Sequence, residues 1–163
     1  MHKVQWILNK IHTRESLIRQ CTIWRAKQQK IVFTNGCFDI LHHGHLDLLA
    51  NAADKGNVLV VGLNSDSSVR RLKGPERPIT NEKDREFQIA SLLCVDAVCL
   101  FDEDTPLELI QALNPGVLVK GGDYNENNIV GAAHVKSYGG IVHIVPFVNG
   151  YSTSSLISYI KKL

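Results

Sequence analysis

Short runs of apolar, β-rich residues recur along the chain at 31–33, 58–63, 97–101, 117–119 and 141–145. Between them, apolar positions return at helical spacing over 46–54, 82–93, 106–113 and 132–138, so each gap predicts a helix. Strands that alternate with helices call for a parallel sheet covered on both faces, with right-handed crossovers. The fold expected is therefore α/β, a Rossmann-like doubly wound sheet of about five parallel strands with helices on both faces. Ligands of such sheets bind at the carboxyl ends of the strands, near the point where strand order reverses.

The N-terminal region reads differently. Thr13-Arg14-Glu15-Ser16 is a helix start, and Leu17, Ile18, Cys21 and Trp24 form an apolar stripe that suits packing on the sheet or on a dimer partner. Residues 1–29 are expected to be a helical extension and 30–163 the main domain. No linker, repeat or low-complexity tract interrupts them. Further on, Asn81 is available to cap the helix that starts at Glu82.

Composition narrows the function without naming it. A chain of 163 residues suits one domain with a sizeable core. With 18 Lys and Arg against 16 Asp and Glu, the net charge of +2 gives no electrostatic case for nucleic acid or a membrane surface. The longest apolar stretch, 58–63, is too short to span a bilayer, and the first residues lack a secretory layout. A cytoplasmic location is expected. The four cysteines, at 21, 37, 94 and 99, form no Cys-x-x-Cys pair and read as reduced thiols.

One segment carries the chemistry. The strand at 31–33 runs into Thr34-Asn35-Gly36-Cys37-Phe38-Asp39-Ile40-Leu41-His42-His43-Gly44-His45, and a helix follows. A helix N-terminus presents unpaired amides and partial positive charge, so it attracts anions. His42 and His45, at i and i+3, share one helix face. Gly44 removes a side chain where a ligand approaches the backbone. The arrangement reads as a phosphate-handling site. His43 points elsewhere and is given no role. Cys37 as nucleophile or metal ligand is set aside, because a phosphate needs the loop's backbone. Zinc is set aside too, since the pair lacks His-x-x-x-His spacing and an acidic partner; no metal ligands are assigned. There is no Gly-x-x-x-x-Gly-Lys-Ser/Thr loop and no Gly-x-Gly-x-x-Gly after the first strand, which argues against P-loop kinases and ordinary dehydrogenases.

The segment resembles the nucleotidyltransferase superfamily with the His-x-Gly-His signature, and within it the heptose 1-phosphate adenylyltransferases. Four blocks carry the match: the segment above, 64–69 running to Arg71-Leu72-Lys73-Gly74, Val119-Lys120-Gly121-Gly122-Asp123-Tyr124, and Gly150-Tyr151-Ser152-Thr153-Ser154. The resemblance covers about residues 30–163. Bifunctional members carry a sugar kinase ahead of this domain, for which 163 residues leave no room.

The resemblance implies roles. His42, His45 and Lys73 become the catalytic groups, the histidines as donors to the phosphates and Lys73 as a cation for the transition state. Thr34, Asn35, Gly36, Cys37, Phe38 and Gly44 fall to the nucleotide, as do Lys120, Gly121 and Asp123, with Asp123 a candidate for ribose hydroxyls. Tyr151, Ser152, Thr153 and Ser154 would start a second anion-binding helix, although these hydroxyls suit a simple cap; Tyr151 departs from the usual residue there. Asp39, Asn64, Asp66 and Arg85 are candidates for the sugar phosphate. Asp39 suits bracing the loop equally, and Asp66 suits capping the next helix.

The activity implied is transfer of AMP from ATP, with Mg2+, to D-glycero-β-D-manno-heptose 1-phosphate, giving ADP-heptose and pyrophosphate for lipopolysaccharide core synthesis. The alternatives are a glycerol-3-phosphate cytidylyltransferase using CTP and a non-catalytic nucleotide-binding regulator. Partners are then ATP and a sugar phosphate, with a homodimer or higher homo-oligomer left open.

Overall fold

The computed structural model describes residues 2–122, 126–148 and 150–163. Six strands form one sheet: β1 (Ile11–His12), β2 (Ile31–Gly36), β3 (Val58–Asn64), β4 (Ala97–Phe101), β5 (Val117–Gly121) and β6 (Ile141–Val145). Their order is β1-β4-β3-β2-β5-β6, and every pairing is parallel. Around them lie α1 (Lys3–Leu8), α2 (Arg14–Ala26), α3 (His43–Ala53), α4 (Asp66–Lys73), α5 (Glu82–Ala90), α6 (Leu107–Leu113), α7 (Ala132–Ser137) and α8 (Thr153–Ile160). Among the described residues no helix is long and apolar enough to cross a membrane.

Period-2 alternation along the strands divides the core into two layers. Phe33, Val60, Cys99 and Leu118 pack with Leu17 and Cys21 of α2, Leu109 and Leu113 of α6, and Val135 of α7. Val32, Leu59, Val61, Val98, Val117 and Val119 face the other way, onto Leu49 and Ala52 of α3 and Ile89 and Ala90 of α5. All seven residues of β3 are buried. Truncating a fully buried anchor such as Leu49 to alanine costs about 2–5 kcal/mol.

The N-terminal segment departs from the helical reading. Ile11 and His12 form a two-residue edge strand in register with Val98 and Cys99 of β4, and Val98 N donates to Lys10 O at 2.8 Å. That strand is the sixth. The α2 stripe packs onto the sheet as its spacing predicts. Helix α5 stops at Ala90, short of residue 93, where the chain turns into β4; Lys10 Nζ holds that turn through Leu92 O at 3.1 Å.

From β2 the chain adds β3 and then β4 on one side, and β5 returns to the other side of β2. Strand order therefore reverses between β2 and β5. The crevice outside their carboxyl ends lies between the loop after Gly36 and the Lys120-Gly121 strand end.

Candidate active site

The loop leaving β2 is strained. Phe38 (φ 46°) and Ile40 (φ 52°) both occupy the left-handed region, which costs on the order of 1–3 kcal/mol each for residues other than glycine. Asp39, between them, holds the loop in that shape. Its carboxylate is 1% exposed and accepts hydrogen bonds from Arg77 Nε at 2.7 Å and from the amides of Ile79 and Thr80 at 3.0 Å. Its carbonyl accepts one from Thr153 Oγ1 at 2.8 Å. Burial pushes the Asp39 carboxyl up, but the two amides and the guanidinium outweigh it and hold the group below its ordinary value. A carboxylate so engaged braces the loop. Asp39 also lines the cavity over Gly36, Cys37 and His45, and it stays a candidate for the sugar phosphate.

Helix α3 then begins at His42, whose carbonyl accepts from His45 N at 2.9 Å and whose side chain makes no cap hydrogen bond. Instead the His42 and His45 rings stack, with centroids 3.7 Å apart and planes 18° from parallel. Phe38 meets the His45 ring edge-on at 5.2 Å. A Cβ on Gly44 would lie 3.3 Å from His42 Nδ1 and 3.4 Å from the Tyr151 Cβ, so the glycine lets α3 and the start of α8 close on each other. Both Nδ1 atoms are buried without a protein partner. Burial, then the neighbouring His42 and Lys73, push His45 down to about 4, and burial lowers His42 as well. Burial therefore favours the neutral rings, and the charge of an arriving polyanion would oppose it. His43 is exposed and turned toward Tyr151, ring centroids 5.1 Å apart.

Three adjoining cavities open above the strand ends, and Lys73, at the C-terminal end of α4, lines them all. The largest, about 490 Å³, has Asn35, Asn64, Asp104, Thr105, Lys120 and Asn128 on its polar walls. A second, about 220 Å³, lies at the start of α8 between His42, His45, Phe147, Tyr151 and Ser154. The third, about 190 Å³, joins them over Gly36, Cys37, His45 and Gly121. Lys73 has no ion-pair partner among the described residues, whereas Arg71 beside it pairs with Asp104 at 2.7 Å. Lys120 donates to Asn35 Oδ1 at 3.3 Å, and burial lowers its pKa.

The family profile described as cytidylyltransferase-like matches residues 33–158, spanning the loop, the three cavities and most of α8. The chain belongs to the cytidylyltransferase-like family. A bifunctional protein HldE from Trichlorobacter lovleyi is 55% identical over 91% of the chain, and one from Helicobacter pylori is 49% identical over 99%. The chain spans only 30% and 34% of those two proteins, about a third of the curated relatives' length. Among solved structures, the lipopolysaccharide core biosynthesis protein of Thermoplasma volcanium aligns with TM-score 0.62 and 28% identity, covering 76% of this chain and 99% of that one. A pantoate-beta-alanine ligase from Francisella tularensis, with TM-score 0.57 and 19% identity over 94% of this chain and 72% of its own, shares the fold.

Against this cytidylyltransferase-like frame, most of the residues singled out in the sequence converge, and some do not. Thr34 is fully buried inside the sheet, its hydroxyl without a partner, and lines none of the cavities, so a nucleotide contact by its side chain is corrected. Arg85 is likewise fully buried and lines none of the cavities; it is bound to the half-buried Asp66 at 2.7 Å. Asn64 stays on the cavity wall, its Nδ2 tied to Ser68 Oγ at 3.0 Å. Ser152, Thr153 and Ser154 all line the smaller cavity; Ser152 also caps α8 through Ser155 N at 3.0 Å, and Thr153 is tied to Asp39. Asp123 lies outside the described residues. Sequence reasoning missed Thr105, Asn128 and Phe147. Thr105 follows the carboxyl end of β4 and Phe147 that of β6, the positions where parallel sheets carry ligand contacts.

Proposed function

We propose that this chain transfers AMP from Mg–ATP to D-glycero-β-D-manno-heptose 1-phosphate, releasing pyrophosphate and forming ADP-heptose for lipopolysaccharide core synthesis. The observation that carries the transfer is a pair of cavities, one at each side of an uncapped helix start, sharing Lys73 and joined over His45. The acceptor follows from the resemblance to heptose 1-phosphate adenylyltransferases, from the HldE relatives, and from the lipopolysaccharide core protein that shares the fold.

An oxygen of the acceptor phosphate attacks the α-phosphorus of ATP. One P–O bond forms, the α–β bridging bond breaks, and its electrons leave with pyrophosphate. The attacking oxygen is already anionic, so neither a protein nucleophile nor a strong base is required. The enzyme's task is to hold two mutually repelling anions in line and to neutralise charge moving to the leaving group. Orientation of this kind is worth on the order of 7–11 kcal/mol.

In this reading the α3 amides, His42, His45 and Lys73 hold the triphosphate, and the smaller cavity takes the nucleoside between Phe147 and Tyr151. The larger cavity takes the sugar phosphate, with Asn64, Thr105 and Asn128 toward its hydroxyls. Lys120, which the resemblance gives to the nucleotide, here turns to the acceptor phosphate because it lines that cavity. No group of three or more His, Cys, Asp or Glu suited to a metal occurs among the described residues. The magnesium ion enters as part of the ATP substrate, bound by phosphate oxygens and water.

The test is pyrophosphate release with ATP or CTP crossed against heptose 1-phosphate and glycerol 3-phosphate. Turnover confined to ATP with heptose 1-phosphate is expected. Turnover with CTP and glycerol 3-phosphate would keep the mechanism and overturn the substrates; none in any arm would leave a nucleotide-binding protein without catalysis.

A further inference from the structure

We propose that Arg85 is a positioning residue that sets the spacing between the phosphate-binding loop and the acceptor cavity, without touching either substrate. The proposal rests on the transferase reading above.

Arg85 is the largest fully buried side chain among the described residues, and it lines none of the three cavities. Its guanidinium reaches four separate parts of the site. Nη1 donates to Cys37 O at 2.6 Å and to Asn64 O at 2.9 Å. Nη2 donates to Asp66 Oδ1 at 2.7 Å, and Nε to Thr80 O at 2.9 Å. These acceptors lie on the signature loop, the last residue of β3, the first residue of α4 and the loop braced by Asp39.

Each anchor bears on a different side of the reaction. Cys37 lies where the large and joining cavities meet, and Asn64 is on the wall of the large one. Helix α4 carries Lys73 at its other end. One rigid cation thus ties the strand end that feeds the phosphate loop to the strand end that feeds the acceptor cavity. Thr80 extends the tie through Asp39 to Thr153 at the start of α8.

The choice of arginine is physical. A buried cation is tolerated only when its donors are matched, and the planar fork fixes the directions of its partners. A lysine ammonium radiates its donors from a single point and cannot span four acceptors spread around the edge of a plane. In-line transfer is sensitive to such spacing: a misplacement of about 1 Å costs on the order of 10²-fold in rate.

The experiment compares wild type, Arg85→Lys and Asp66→Asn. For Arg85→Lys we expect kcat to fall on the order of 10²-fold, with KM for both substrates within about threefold of wild type. Hydrogen exchange should rise at the ends of β2 and β3, around 37–38 and 64–65, more than in the rest of the sheet. Unchanged kcat would reduce Arg85 to core filling. A loss confined to the acceptor KM would make it a substrate contact. Either result overturns the proposal.

If Arg85→Lys does not fold, Asp66→Asn removes the charge from one anchor of the four. It should lower kcat about tenfold without moving KM, and an unchanged kcat there is equally fatal. The exchange measurement separates the two claims. Wild type without turnover, combined with local opening in Arg85→Lys, sinks the transferase reading and keeps the placement. Wild-type turnover with closed strand ends in that variant does the reverse.

Discussion

Two helices start at the same edge of the sheet and face one another across Gly44, yet their first turns are built in opposite ways. Helix α8 is capped by Ser152, which accepts from Ser155 N, while Thr153 donates outward to Asp39 O. Helix α3 has no side-chain cap, and the residue in the cap position, His42, stacks on His45 instead. Capping residues satisfy amides that a ligand would otherwise claim. The difference suits the proposed division of work, in which α3 keeps its amides for an anion and α8 supplies a wall. The hydroxyl cluster that looks like a second phosphate site in the sequence is, in two of its three members, structural. All three nonetheless line the smaller cavity.

The strongest way to break this contrast is at α3. His42→Ala and His45→Ala should each lower kcat by about 10²–10³-fold, the loss typical of removing one preorganised donor. Their far-ultraviolet circular dichroism should be unchanged, because neither Nδ1 has a protein partner to lose. If either variant turns over within threefold of wild type, the stacked pair is a packing feature and the uncapped helix start is not the phosphate site.

At α8 the expected losses are in stability. Thr153→Val removes the hydroxyl that holds Asp39 O inside a buried site, so it should cost about 1–3 kcal/mol by chemical denaturation. Ser152→Ala removes an exposed cap and should cost about 1 kcal/mol. We expect kcat for Ser152→Ala to stay within threefold. A large kcat loss with little loss of stability there would restore α8 as an anion-binding helix and erase the contrast.

Legibility in the sequence followed the range of the interactions involved. β3 was readable because a parallel strand covered on both faces is apolar along its whole length. The stretch from β2 into α3 was readable because strand, turn and helix start are contiguous. β1 was not: two residues carry no period, and Ile11 is a strand only because Val98 lies beside it. Thr34 sat within the signature run but points into the sheet, a distinction that needs the strand's orientation. The burial of Arg85 was not readable, because Glu82-Lys83-Asp84-Arg85-Glu86 has the composition of a solvated helix face. Its acceptors, Cys37 O and Asn64 O, lie 48 and 21 residues away. Asp39 shows the same limit in milder form, since bracing and substrate contact use the same carboxylate and only its partners at 77–80 reveal the first.

The smallest expected effect tests the resting charge of α3. His45 is pushed down to about 4, first by burial and then by His42 and Lys73, while Asp39 pulls the other way. Its ordinary value is about 6.5. Between these values the unfolded chain binds a proton at this position that the folded chain refuses, so stability contributed here falls as pH drops from about 6.5 toward 4. His45→Gln carries no such proton. The difference in unfolding free energy between wild type and His45→Gln should therefore shift against wild type across that window and stay flat from pH 7 to 8. Adding ATP should reverse the sign for wild type, because triphosphate charge beside the stacked rings favours the protonated form. A difference that stays flat at acid pH would mean that His45 is protonated before any anion arrives. The α3 start would then be a preformed cation like Lys73, and not a neutral site that acquires its charge from the nucleotide.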